Sequence, residues 1–193
     1  PFSETLLEAI HDIKPTILIG ASGQAQTFTQ DVIETMCVYN ERPVIFALSN
    51  PTSKSECTAE QAYQWSNGNA IFASGSPFDS VTLNGKTFVP GQGNNAYVFP
   101  GIGLGAIVSE TRRITDEMFI EAALTLSKYV TEEDLAKGRV YPALDRIRDV
   151  SAYIAEAVAR VAYASDLTEQ EKPRDLLKVI KSHIYEPNYY SYI

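Results

Sequence analysis

Side chains able to do chemistry cluster most densely in Pro90 to Pro100, PGQGNNAYVFP. Asn94 and Asn95 stand side by side on backbone made loop-like by Gly91, Gly93 and the flanking prolines. A carboxamide carries donors and an acceptor without charge. Two neighbours of this kind can grip a hydroxyl and a carboxylate together, giving orientation without a proton-transfer group of their own. They can equally cap backbone groups of a tight loop, as asparagine commonly does. Residue types alone leave both readings open.

Acid–base and nucleophilic machinery is sparse elsewhere. His11 and His183 are the only histidines; the first falls on a helix surface and the second in the tail. No H-E-x-x-H, G-x-S-x-G or Walker A sequence is present, and Ser74-Gly75-Ser76 lacks a nucleophile-elbow context. Glu132, Glu133 and Asp134 read as a solvated helix start favoured by the dipole rather than as a metal site. Lys54 reads as an exposed lysine, although it is within reach of a phosphate or carboxylate at the Asn50 loop. The cysteines, Cys37 and Cys57, cannot cage a metal alone, and with no disulfide framework a reducing, intracellular compartment is expected. Accordingly no catalytic and no metal-binding residue is assigned within the chain.

The 193 residues suit one domain with a smaller appendage, and 45% hydrophobic against 21% charged residues is an ordinary core-forming composition. A formal charge of −8 with no basic cluster argues against nucleic acid and anionic membrane as partners. No apolar run approaches the roughly 18 residues of a spanning helix. The chain starts at Pro1 rather than methionine, which suits a processed or partial polypeptide.

The elements that must position the amides follow from periodicity. Ser3 is placed as the cap of a short helix with Leu6, Leu7, Ile10 and Ile13 on one stripe, ended by Pro15. Thr16 to Gly20, TILIG, is continuous and apolar, the pattern of a strand buried on both faces. Val32, Ile33, Met36 and Cys37 form a helical face, Pro43 to Leu48 a second strand, Thr58 to Gln61 a capping box, and Ala70 to Gly75 a third strand. Alternating units of this size predict a parallel sheet with helical crossovers. Val81 to Val89 alternates about Asn84-Gly85, a two-residue hairpin signal. From Pro100 on the chain reads as helical: Gly101 to Val108 is a tightly packing start, Thr115 and Thr131 are caps, and Ile147, Ser151, Ile154, Val158 and Val161 make a stripe. The tyrosine-rich tail (Tyr185, Tyr189, Tyr190, Tyr192) is expected to pack on its own domain. The fold class is therefore α/β: a partial Rossmann-like, doubly wound parallel sheet with a small hairpin (1–112), followed by a helical segment (113–193).

Open parallel sheets collect ligands at the carboxyl ends of their strands. Those ends are IGASG, LSNPT and ASGSPF, all rich in small polar residues that let backbone approach a ligand. Gly20, Ala21 and Ser22 are the cofactor-contact candidates of the first, although GASGQAQ has the wrong spacing for a dinucleotide fingerprint and reads more simply as a strand-to-helix turn. Asn50, two residues past the second apolar run and held before Pro51, suits a nicotinamide ring, a ribose hydroxyl or a substrate carboxylate. Its alternative is turn initiation.

Taken together, IKPTILIGASG, FTQDVIETM, NERPVIFALSNPTSKSECTAEQAY, AIFASGSPFDSVTLNGKTFVPGQGNNAYVFPGIGLGAI, ITDEMFIEAA and GRVYPALDRIRDVSAYIAEAV resemble the carboxyl-terminal part of malic enzymes. The resemblance covers most of 13–158. It implies oxidative decarboxylation of L-malate to pyruvate and CO2 with NAD or NADP and Mg2+ or Mn2+. It further implies that Asn50 contacts substrate and the nicotinamide region, and that Asn94 and Asn95 bind malate. The family's general acid, general base, substrate-clamping arginine, metal ligands and glycine-rich turn precede the segment resembled. The remainder of such a chain is thus an implied partner, and the 193 residues alone are expected to be inactive. Homo-oligomers are usual in the family; the compartment, cytoplasm or organelle, stays open. The alternative is a non-catalytic nucleotide-binding or oligomerisation module. An amino-acid dehydrogenase with an Asn-Pro loop would not be expected to carry PGQGNN.

Overall fold

The computed structural model describes residues 3–186; the tail tyrosines Tyr189, Tyr190 and Tyr192 lie outside them. The described residues form two compact units, one from 3–94 with 130–142 and the other from 95–129 with 143–186.

The first unit is built on helix α1 (Leu6–Ile13), strand β1 (Ile17–Gly20), α2 (Gln30–Tyr39), β2 (Val44–Ala47), α3 (Ala59–Trp65), β3 (Ile71–Ser74), the hairpin β4 (Val81–Leu83) and β5 (Lys86–Phe88), and β6 (Gly91–Gln92). Strands β1, β2, β3 and β6 make a parallel sheet in that order, with Leu18, Ile45 and Phe72 in register across one face. Helices α1, α2 and α3 cover that face through Ile10, Val32, Ile33, Met36, Ala62 and Tyr63. Their caps are local: Thr5 with Glu8 and Thr58 with Gln61 form capping boxes. Thr5, not Ser3, caps α1, because only Thr5 has the N3 glutamate that closes the box; the Ser3 hydroxyl donates to Asp12 instead.

Strand β1 departs from its expected burial. It is an edge strand, and Ile17 and Ile19 are 52% and 60% exposed while Leu18 is buried. An apolar run permits burial on both faces, but the described residues cover only one. The hairpin is as the sequence predicts, with Asn84 at φ 52° and Gly85 at φ 79°, the geometry of a two-residue turn. Phe88 anchors it by stacking on Tyr63, with ring centroids 4.5 Å apart. Helix α6 (Glu132–Ala136) returns to this unit, and the Lys137 carbonyl accepts the Val89 N–H.

The second unit packs α4 (Phe99–Ser109) on α7 (Ile147–Ala164), with α5 (Asp116–Ser127) and α8 (Leu176–Ser182). A Cβ on Gly101 would lie 2.7 Å from Ile154, and one on Gly105 would lie 2.6 Å from the Ala155 carbonyl oxygen. The small residues of GIGLGAIV therefore serve close helix approach. Ser151, Ile154 and Val158 of the predicted stripe are buried. Tyr185 differs from the expected packed tail: it is 81% exposed, and its carbonyl accepts a hydrogen bond from Arg148.

Candidate functional site

The carboxyl ends of β1, β2, β3 and β6 carry a run of buried polar side chains: Ser49, Glu56, Ser74 and Ser76 are each at most 5% exposed. Burying such groups is tolerable only when each is hydrogen-bonded, and their bonds run across the sheet from strand to strand.

Glu56 is the centre of the β1–β2 part and is fully buried. Its Oε1 accepts the Ser22 N–H and the Ser22 hydroxyl, both at 3.1 Å, and a very short bond from the Ser49 hydroxyl. Its Oε2 accepts the Ser49 N–H at 3.3 Å. The hydroxyls relay further: Ser49 Oγ accepts the Gly23 N–H at 2.9 Å, and Ser22 Oγ accepts the Gln24 N–H at 3.2 Å. Burial pushes the Glu56 carboxyl up, but hydrogen bonds from Ser49, from its own backbone and from Ser22 outweigh it, so the group is held below the usual glutamate range. The adjacent Cys57 thiol goes the other way, pushed up to about 12 by burial and by the Glu56 charge; it is an inert core thiol.

Asn50 links β2 to β3. Its Nδ2 donates to the Gly75 carbonyl at 3.1 Å, and its Oδ1 accepts a very short bond from the Ser76 hydroxyl. The residue is nevertheless exposed. The Asn50–Pro51 peptide is cis. Gly75 fits because its position abuts backbone: a Cβ there would meet the Leu48 carbonyl oxygen at 2.1 Å. Gln92 of β6 closes the run by donating to the same Gly75 carbonyl at 3.2 Å, and the Gly93 N–H donates to the Ser74 carbonyl at 2.8 Å.

Of the residues singled out in the sequence, Gly20, Ala21, Ser22 and Asn50 thus share one unit and one hydrogen-bonded ledge. Asn94 follows that ledge directly, two residues beyond β6, and is half-buried; Asn95 is exposed and opens the second unit. Gly20 has a packing duty: a Cβ would lie 2.6 Å from the Glu56 Cδ and 2.8 Å from the Phe28 ring. The N–H groups of Ser22, Gly23 and Gln24 are all spent inside the protein, above a buried carboxylate. This donor inventory does not fit a diphosphate at the β1 loop.

Sequence reasoning missed Glu56. Nothing in SKSEC separates it from an exposed glutamate; the one available signal was Gly20, whose missing side chain leaves it room. Lys54 is exposed and His11 lies on the surface of α1, its ring nitrogen 2.9 Å from the Tyr39 hydroxyl. Among the described residues no group of three or more His, Cys, Asp or Glu is placed to hold a metal ion. Of the acidic triplet, Asp134 is buried and closes a capping box with Thr131, while Arg139 lies 3.2 Å away. A groove of about 630 Å³ on the second unit, lined by Tyr129, Tyr153, Glu156 and Arg160 among others, contains none of these residues.

A parallel sheet with small polar strand ends is that of the dinucleotide-binding class. Comparison makes the assignment specific. The family described as malic enzyme, NAD binding domain, matches residues 2–163, and the chain belongs to the malic enzyme family. The chloroplastic NADP-dependent malic enzyme of Oryza sativa subsp. japonica is 56% identical over 97% of this chain, and the NADP-dependent malic enzyme of Phaseolus vulgaris is likewise 56% identical over 97%. The chain spans 30% and 32% of those two proteins. Among solved structures, malic enzyme from Pyrococcus horikoshii aligns over 91% of this chain and 37% of its own, with 27% identity and a TM-score of 0.65. The Entamoeba histolytica malic enzyme, at 24% identity over 86% of this chain and 31% of its own, reaches a TM-score of 0.70 and supports the fold.

Proposed function

We propose that this chain serves the oxidative decarboxylation of L-malate to pyruvate and CO2 with reduction of NADP, as part of a longer malic enzyme polypeptide. The observation that carries the reading is the hydrogen-bonded ledge at the strand ends, which presents Asn50 in a chain of malic enzyme sequence. NADP is chosen over NAD because the rice and bean relatives are NADP-dependent enzymes. The cofactor supplies the hydride acceptor. Gly20, Ala21, Ser22 and Asn50 lie along its nicotinamide end, while Asn94 and Asn95 hold the hydroxyl and carboxylate of malate.

Amides suit this task. They orient a dianion through directed hydrogen bonds and add no charge or proton of their own during hydride removal. The donor set for Mg2+ or Mn2+ does not fit the described residues, so no step through the metal is assigned to them. Groups that move protons are likewise left to the rest of the polypeptide, and the 193 residues by themselves should not turn malate over. Homo-oligomeric assembly and a cytoplasmic or organellar location belong to the same reading.

The test is calorimetric titration of NADP+ and L-malate into the purified chain, together with an assay for malate-dependent NADPH formation. Saturable binding without turnover is expected. Asn94→Ala should weaken malate by roughly ten- to a hundredfold, the effect of one hydrogen bond to a charged group. Turnover by the pure chain, or malate binding indifferent to Asn50, Asn94 and Asn95 alike, would refute the assignment.

A further inference from the structure

We propose that Glu56 is the positioning residue of this site: its carboxylate fastens the loop after β1 to the loop after β2 and so fixes where Asn50 stands. The inference rests on the reading that Asn50 faces the ligand.

The case starts from proton bookkeeping. A hydroxyl has one proton, and an ionised carboxylate only accepts. Both the Ser22 and Ser49 protons go to Oε1. Each oxygen is thereby turned to accept an N–H, from Gln24 and Gly23 respectively. Remove the carboxylate and the two hydroxyls lose the acceptor that dictates their direction. The Ser22 and Ser49 N–H groups lose their partners with it.

Asn50 is the next residue after Ser49. Its backbone is held from one side by the Glu56 grip on Ser49, and its carboxamide from the other by Gly75 and Ser76. Glutamate reaches this place because Gly20 has no side chain to block it, a Cβ there falling 2.6 Å from Glu56 Cδ. No ion pair to Glu56 is present among the described residues, and its carboxylate is met by Ser22, Ser49 and its own backbone. A residue kept for a salt bridge or for apolar packing would not be built in this way.

Glu56→Gln discriminates, because glutamine keeps the shape but has one acceptor and one donor end. With its oxygen in the place of Oε1, the Ser22 bonds survive and the amide nitrogen faces the Ser49 N–H, donor against donor. In the isotope-labelled 193-residue chain, Ser49 N–H should exchange with solvent about tenfold faster, the factor one ordinary hydrogen bond supplies. Ser22 N–H should be unchanged, and the Asn50 side-chain amide resonances should move. Glu56→Ala should release both loops. Should the Glu56 variants fail to fold, Ser49→Ala provides the second route: Gly23 N–H loses its acceptor and the Asn50 amide should again move. Asn50 resonances at their original positions in a folded variant whose Ser49 or Gly23 N–H has been released would overturn the proposal. Malate titration separates the two ideas. Asn50 following Glu56 in a chain that never binds malate sinks the functional reading and leaves the positioning intact. Malate bound by both the original and the folded Glu56→Gln chains, with Ser49 N–H released but the Asn50 resonances unmoved, sinks the positioning role alone.

Discussion

Replacing Gly75 by alanine would put a carbon 2.1 Å from the Leu48 carbonyl oxygen and 2.6 Å from its carbonyl carbon, well inside the roughly 3.5 Å at which such atoms attract. Both are backbone atoms, so no rotamer change can relieve the clash and the two strand-end loops must part. Gly75 is not among the positive-φ glycines, which makes the effect steric rather than conformational. Overpacking of this kind costs about 1–3 kcal/mol. Parting the loops also endangers the bond from Gly75 N–H to Ala47 (2.9 Å) and the two that Gly75 O accepts from Asn50 and Gln92. Losing two of these adds about 2 kcal/mol. The sum, roughly 3–5 kcal/mol, is large against a typical stability of about 5–15 kcal/mol. Equilibrium urea unfolding, followed by the fluorescence of Trp65, reads it, because this is the only tryptophan of the chain and lies in the same unit. The midpoint should fall by about 1–3 M at an m-value of about 2 kcal/mol/M. Gly103→Ala is the control: nothing lies within 4 Å of its Cβ position, inside α4, so alanine should stabilise that helix by up to about 1 kcal/mol. A Gly75→Ala midpoint indistinguishable from the original, or a Gly103→Ala variant equally damaged, would show the steric reasoning to be wrong.

Tyr63→Phe should leave the first unit as stable or raise its stability by about 1 kcal/mol, because the Tyr63 hydroxyl is buried with no hydrogen-bond partner among the described residues and an unmet polar group is unfavourable; a clear loss in thermal melting would reveal a partner. At Asp134, burial pushes the carboxyl up, but hydrogen bonds from Thr131 and the Arg139 guanidinium more than reverse it, so its folded value is lowered. A lowered acid contributes stability that is complete above the unfolded range near pH 4 and is lost as pH falls through the folded value. Asp134→Asn should therefore be less stable than the original by about 1–2 kcal/mol at pH 7, with the gap closing below about pH 4; a gap constant from neutral to acid pH would contradict the linkage.

Local signals in the sequence were enough for most elements, and the failures share a cause. Asn84-Gly85 fixed the hairpin and Thr58-x-x-Gln61 opened α3, because turn type and capping depend on a few adjacent residues. The two-residue strand β6 escaped notice within PGQGNN. Its pairing comes from Ala73 and Ser74 of β3, not from any β propensity of Gly91 and Gln92. The half-exposed β1 escaped for the converse reason: apolar residues permit burial, but what covers each face is a tertiary fact. The place of Asn50 and of the loops at the strand ends was legible from composition and order along the chain. The carboxylate joining them was not, since its partners Ser22 and Ser49 are 34 and 7 residues away.

That carboxylate also explains why the ledge tolerates so many buried polar groups. Placing an unpaired negative charge out of water is unfavourable by several kcal/mol. Four hydrogen bonds to an ionised acceptor, at about 1.5–3 kcal/mol each, are of the size needed to offset it. The arrangement is then all-or-none. An apolar residue at 56 would spare the charge but strand the Ser22 and Ser49 N–H groups, while a shorter acid would satisfy one loop and desert the other. Every retained member therefore constrains its neighbours, from Gly20, which must stay bare for Glu56, to Gly75, which must stay bare for Leu48. Such a network makes a poor source of stability and a good source of fixed geometry. It lies at the strand ends, where the proposed contacts to cofactor and malate would need that geometry most.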